Sequence, residues 1–318
     1  MLKVNQVHFG NRRAAAAVEL SESVPGISMI SRRRVVQILL VLIVLLLGGA
    51  GFLATQLPSI GAGALLFSTR RDSGRPMPAA CIERQFAGAQ GTLSGWQCDT
   101  SSVPVRGTIV YLHGIADDRG SAYGVVTRFL PLGFNVVAYD SRAHGRSSGE
   151  LCTYGYFEKH DLRAVIEQIA ADPIILIGHS LGAAVALQTA AVEPRVGAVV
   201  AASTFSDLRS IATERAPFVF TNRMIEAAFS IAQQQAQFVV DDVSPVRAAA
   251  TVRAPVFLIH GANDRETPPV HSERVLQALS GSKRLLIVPD AAHNDVLWHD
   301  AVWTEIKQWI VAHALVAS

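Results

Sequence analysis

Every other part of the chain is read against residues 173–190, PIILIGHSLGAAVALQTA. Four consecutive aliphatics, Ile174 to Ile177, run into Gly178-His179-Ser180-Leu181-Gly182, and an alanine-rich segment of good helix formers follows. The order is a buried strand, an abrupt turn and a helix, the setting that a G-x-S-x-G turn needs if its serine is to stand exposed on a strained backbone above a sheet edge. Glycines at 178 and 182 leave room where strand and helix approach each other closely. The pentapeptide alone arises by chance in roughly one chain in ten of this size, so the strand before it and the helix after it carry the inference. Ser180 is the candidate nucleophile.

Working outward, apolar strands alternate with helical stretches from Gly107 onward. Strands are expected at Thr108–Leu112, Phe134–Tyr139, Val196–Ala201, Pro255–Ile259 and Leu285–Val288. Helices are expected at Tyr123–Leu132, Glu158–Ala171, Val270–Leu279 and Trp298–His313. That alternation predicts an α/β fold with a mostly parallel sheet covered by helices on both faces. Reactive groups in such a sheet collect at the carboxyl ends of the strands. Residues 203–252 interrupt the rhythm between two core strands, and their apolar residues at helical spacing predict a helical lid.

A serine nucleophile needs a base, and the base needs an orienting acid. The strand ending at Ile259 is followed by His260-Gly261-Ala262-Asn263-Asp264, and the one ending at Val288 by Pro289-Asp290-Ala291-Ala292-His293. Asp264 and His293 are therefore the candidate acid and base, in the chain order serine, acid, histidine. Asp207 is the competing acid. Asp290 and Asp295 read as turn or cap residues, His299 and His271 as solvated, His260 as structural, and His144 as part of a supporting turn at 140–147. The oxyanion donors expected are the backbone N–H of Leu181, at the start of the elbow helix, and of Ile115, after His113-Gly114, with Ala116 as the alternative to Ile115.

Toward the N-terminus, Val35 to Leu57 is 23 residues without a charge. As a helix it would be about 35 Å long, enough to cross the ~30 Å hydrocarbon of a bilayer. Six basic residues precede the span, and only Arg70, Arg71 and Arg75 follow it closely. This predicts a single-pass anchor with residues 1–34 as a cytoplasmic, disordered tail and the remaining chain exoplasmic. A cleaved signal peptide is the competing reading, against which stand the length of the apolar run and of the leader before it. Residues 58–79, rich in glycine and proline, read as a linker to a domain over 80–318.

The formal charge of +2 divides unevenly. The tail carries six bases and two acids, leaving 22 bases against 24 acids beyond residue 57, without the basic excess of a nucleic-acid-binding surface. Cysteines stand at 81, 98 and 152 only. Arms near 84–87 and 92–100 form a hairpin whose register sets 81 opposite 98, so a disulfide there is geometrically open, with two buried thiols as the alternative. No spacing suits a metal, and neither metal nor cofactor is expected.

Together, His113-Gly114, the 140–147 turn, GHSLG, HGANDRETPP and AAHND resemble the α/β-hydrolase superfamily over about residues 82–315. Within it the chain is similar to the Bem46-like group of serine hydrolases, often membrane-anchored, departing at Ile115-Ala116-Asp117-Asp118, where that group commonly carries an asparagine-rich turn. The resemblance implies hydrolysis of an ester, thioester or amide through an acyl-enzyme, on a small acyl or lipid-like substrate. An acyltransferase using the same residues and a non-catalytic binding module are the alternatives. Protein partners are left open.

Overall fold

The computed structural model describes residues 31–101 and 104–313, so residues 1–30 of the expected tail lie outside it. The chain divides into two compact units, Met1–Leu53 and Ala54–Ser318. Within the first, helix α1 (Arg32–Leu66) begins with the three arginines, and its most apolar window has no residue buried. Over that window the helix is apolar and uncovered among the described residues, and it satisfies its own backbone, two things a lipid-crossing segment requires.

The second unit starts with the rest of α1. The expected linker at 58–79 is helical as far as Leu66, through Pro58. Glycine and proline there signalled a break, but packing overrides propensity. Leu66 and Ala62 are fully buried, and a Cβ on Gly61 would come within 3.0 Å of the Phe220 ring and 3.2 Å of Ala228 Cβ, so the glycine permits a close approach to the lid.

The strands are β1 (Cys81–Gly88), β2 (Gly91–Cys98), β3 (Thr108–Leu112), β4 (Asn135–Tyr139), β5 (Ile174–His179), β6 (Val196–Ala202), β7 (Val256–Gly261) and β8 (Lys283–Val288). They form one sheet in the order β1-β2-β4-β3-β5-β6-β7-β8. The β1–β2 hairpin joins β4 antiparallel, and every later pairing is parallel. Cys81 pairs with Cys98 in the hairpin and is bonded to it, while Cys152 is a buried free thiol.

Alternation along β5 divides the core in two. Ile175 and Ile177 join Phe129 of α2 (Tyr123–Phe129), Phe257, Ile259 and the face of α9 (Asp300–His313) on one side. Ile174 and Leu176 join Leu162 of α3 (Glu158–Glu167) and Leu187 of α4 (Leu181–Ala190) on the other. Burying both faces is what turns the strand sequences into unbroken apolar runs.

After β6 come α5 (Leu208–Glu214), α6 (Asn222–Ala236) and α7 (Pro245–Ala249), which make up the expected lid region. Thr221 caps α6 by accepting from Met224 N–H, and Ile225, Phe229, Ala232 and Ala236 form its buried stripe. That stripe shares a cluster with Ala62 and Leu66.

Candidate active site

β5 delivers Ser180 into a turn with φ of 52° and ψ of −113°, a left-handed position for a residue with a side chain. Strain of this kind persists only where the surroundings enforce it. Here a Cβ at Gly178 would lie 2.3 Å from Gly182 O, and one at Gly182 would lie 2.1 Å from Leu112 O. Only glycine lets α4 start this close to the sheet.

Three strand-end loops converge on Ser180. Its Oγ lies 2.8 Å from His293 Nε2, and His293 Nδ1 lies 2.7 Å from Asp264 Oδ2. All three side chains are buried. Asp264 also accepts from Glu266 N–H and Thr267 N–H on Oδ1, and from His260 Nε2 on Oδ2 at 3.1 Å. Burial pushes the Asp264 carboxyl up. Hydrogen bonds from His260, His293 and the Thr267 N–H outweigh it and hold the group well below the usual carboxylate range. An ionised Asp264 accepts, so His293 Nδ1 carries the proton and Nε2 of the neutral ring is left to accept from Ser180 O–H.

The alternative acid, Asp207, is engaged elsewhere. It caps α5, accepting from Ser210 N–H at 2.8 Å. His271 is a correction to the sequence reading. It is fully buried rather than solvated, held between Ser206 and Glu214, because α8 (Val270–Ala278) turns that residue under the lid. His299 precedes α9 instead of lying inside it.

Two residues absent from the sequence-based candidates hold the His293 loop. His179 Nε2 donates to the His293 carbonyl at 2.8 Å, and Ser203 Oγ donates to the same oxygen at 3.2 Å. Burial lowers the His179 pKa, keeping the ring neutral, and it does its work as a donor. Position x of G-x-S-x-G and the first residue past β6 are the signals that, in hindsight, mark them.

The loop after β3 holds Ile115 and Ala116, whose N–H groups the sequence offers as candidate donors. Ala116 has φ of 55°, and its N–H points to Ser68 Oγ at 3.3 Å. Ser68 Oγ is in turn 2.8 Å from His144 Nε2, and His144 Nδ1 is 2.8 Å from the Arg142 carbonyl. A carbonyl only accepts, so Nδ1 bears the proton and Nε2 accepts from Ser68 O–H. Burial, with help from His113, brings the His144 pKa down to about 4, so the ring stays neutral. This chain occupies the N–H of Ala116. Ile115 and Gly114 line the same cavity as Ser180. Leu181 opens α4, where N–H groups lack intrahelical partners.

Ser68 belongs to a strap that follows α1. Arg70 donates to the carbonyls of Ser147, at 2.7 Å, and Gly149, and Ser73 Oγ donates to Asp118 at 2.9 Å. The strap thus bridges the 140–147 turn and the loop after β3. The cavity over Ser180 and His293 has a volume of about 590 Å³, and Arg71, Arg75 and Arg215 reach it.

An eight-stranded, mostly parallel sheet with a serine on a strained strand-to-helix turn defines an α/β-hydrolase architecture, and residues 109–305 match the Alpha/beta hydrolase family. The chain belongs to that family. It is 28% identical over 230 residues to the protein YfhR of Escherichia coli K12, covering 69% of this chain and 76% of the relative. It is 24% identical over 273 residues to the monoacylglycerol lipase of Mycolicibacterium smegmatis, covering 73% and 97%. Among solved structures, the Pyrococcus furiosus esterase Pf2001 matches in fold with a TM-score of 0.64 at 22% identity, over 78% of this chain and 99% of that one.

Proposed function

We propose that the protein is a membrane-anchored serine hydrolase that cleaves a carboxylic ester, thioester or amide through an acyl-enzyme. The observation that carries this reading is the unbroken proton chain Ser180 Oγ, His293 Nε2, His293 Nδ1, Asp264 Oδ2, with contacts of 2.8 and 2.7 Å. In the reaction His293 takes the Ser180 proton as Oγ attacks the substrate carbonyl, and Asp264 holds the imidazolium that results. The N–H groups of Leu181 and Ile115 receive the developing oxyanion. Collapse expels the leaving group, which takes its proton from His293. Water then attacks the acyl-enzyme with His293 as base, and Ser180 leaves reprotonated.

In this reading Val35–Leu57 spans the membrane, residues 1–34 lie on the cytoplasmic side, and the hydrolase domain, 80–318 with its lid at 203–252, faces outward. The connecting stretch is 58–79, of which 58–66 continue the helix. The Cys81–Cys98 bond fits an oxidising compartment. A lipid-like acyl substrate agrees with the apolar lid and with the name of the mycobacterial relative. The test is labelling by a fluorophosphonate probe: wild type reacts, Ser180→Ala does not. Equal labelling of both overturns the assignment of Ser180 as nucleophile.

A further inference from the structure

A second cavity, apolar and about 350 Å³, lies between the last turns of α1 and the lid, within the range of small-molecule sites. Ile60, Ala64 and Leu65 form one wall, and Leu208, Ala212 and Phe229 are part of the other. Arg215 also lines it and lines the catalytic cavity as well, so one side chain stands at the edge of both. Its guanidinium is tied to Glu266 O at 2.6 Å and Thr267 Oγ1 at 2.7 Å, both in the loop that carries Asp264. The apolar cavity therefore adjoins the reactive one across a fixed polar post.

Two observations say what fills it. Ile60 is three residues beyond the end of the apolar span, so chain connectivity alone keeps that wall within about 5 Å of helical rise from residue 57. The loop between α5 and α6, whose Pro217 and Phe220 line the cavity, also presents Phe218 at 99% and Val219 at 47% exposure. A fully exposed phenylalanine beside an apolar opening has no partner in this chain among the described residues. At a bilayer interface it would have one.

We propose that this cavity seats the acyl chain of a lipid taken from the bilayer that holds α1, with the scissile carbonyl passing Arg215 into the catalytic cavity. The proposal rests on the hydrolase reading for its chemistry and on the anchor for its geometry. The substrate class is then a long-chain acyl ester of a membrane lipid, and the anchor's own helix is a wall of the substrate site.

The test uses the full chain. Binding of a dansyl-labelled undecanoic acid is titrated in detergent on Ser180→Ala, with and without Ala64→Phe or Ala212→Phe, which fill the cavity from opposite walls. With Ser180 intact, the ratio of p-nitrophenyl laurate to p-nitrophenyl acetate turnover is measured for the same variants. Each filling variant is expected to weaken probe binding and to lower the ratio by roughly tenfold or more, the scale of losing pocket contact for a methylene or two. Thermal melting of each variant separates this from misfolding. Probe binding and ratio both unchanged in the two folded variants overturn the proposal while leaving the hydrolase reading intact. If filling abolishes probe binding yet no ester of any length is turned over, the cavity stands and the hydrolase reading falls. Phe218→Ser is expected to slow laurate turnover in phosphatidylcholine vesicles by roughly tenfold or more beyond its effect in detergent, as loss of one buried aromatic would. Equal effects in the two media overturn the bilayer as source.

Discussion

The edge of the sheet that carries Ser180, Asp264 and His293 and the strap at 67–75 are built by different means. At the edge, β5 and β7 are apolar strands fixed by burial on both faces and β8 is the half-exposed last strand of the sheet, and the turn after each carries one of the three polar residues. The strap has no regular structure and little burial. Ser68, Arg70 and Ser73 hold it through polar contacts to loops that lie far away in sequence. Both reach the same cavity, and in the proposed reaction the first supplies the reacting groups while the second shapes the loop beside them. A rigid edge contributes chemistry in large, separable steps, and a polar strap contributes in small steps that only appear as rate.

The largest break in that comparison is at the edge. Ser180→Ala should lower ester turnover by roughly 10⁴- to 10⁶-fold, leaving only what binding and oxyanion donors give. Titrating active sites with a fluorophosphonate alongside the steady-state rate checks it, and residual turnover within tenfold of wild type would end the account. Asp264→Asn comes next. Losing the acceptor that fixes the His293 tautomer should lower kcat by roughly 10⁴-fold with KM nearly unchanged. His260 Nε2, which donates to both Asp264 Oδ2 and Thr267 O, keeps the side chain oriented, so an altered fold is not expected.

The difference between the two regions also explains what is legible in the sequence alone. Strands β3 to β8 and the turns that bear Ser180, Asp264 and His293 announce themselves, because runs such as Ile174–Ile177 and endings such as Gly261-Ala262-Asn263-Asp264 are local in sequence. His179 and Ser203 were missed since their role is a bond to the carbonyl of residue 293, and no local pattern encodes a partner that distant. The strap reads as linker for a related reason: Ser68 and Arg70 are ordinary residues whose meaning comes from where His144, Ser147 and Gly149 lie. His271 reads as solvated in sequence yet is buried, because helical position says nothing of which loop covers a helix start.

His144 is where the two regions join, and pH probes it. Its folded pKa is about 4 against an ordinary 6.5, so between those values the unfolded chain binds more protons than the folded one. Stability contributed by the neutral ring is full above pH 6.5 and is lost as pH falls toward 4. From pH 7 to pH 5 the loss through this one group should be about 2 kcal/mol at most. Urea unfolding of wild type and His144→Gln at both values checks it. The variant should show the smaller drop, and parallel drops would mean that the ring is not held neutral in the fold.

The smallest effect is the most informative about the strap. Ser68 O–H donates to His144, and its oxygen accepts from Ala116 N–H, which sits at a left-handed φ. Ser68→Ala removes both bonds and leaves Ala116 free to relax, and with it the adjacent N–H of Ile115. One hydrogen bond of about 1 kcal/mol, expressed through an oxyanion donor, predicts a fall in kcat of roughly five- to tenfold. An oxyanion exists only beyond the ground state, so KM should hold while kcat drops. Ser68→Thr keeps the hydroxyl and should restore most of the rate. A merely structural strap would instead lower the fraction of sites that react with a fluorophosphonate while leaving the rate per reactive site unchanged. The two outcomes separate a strap that shapes the oxyanion loop from one that only ties the chain down.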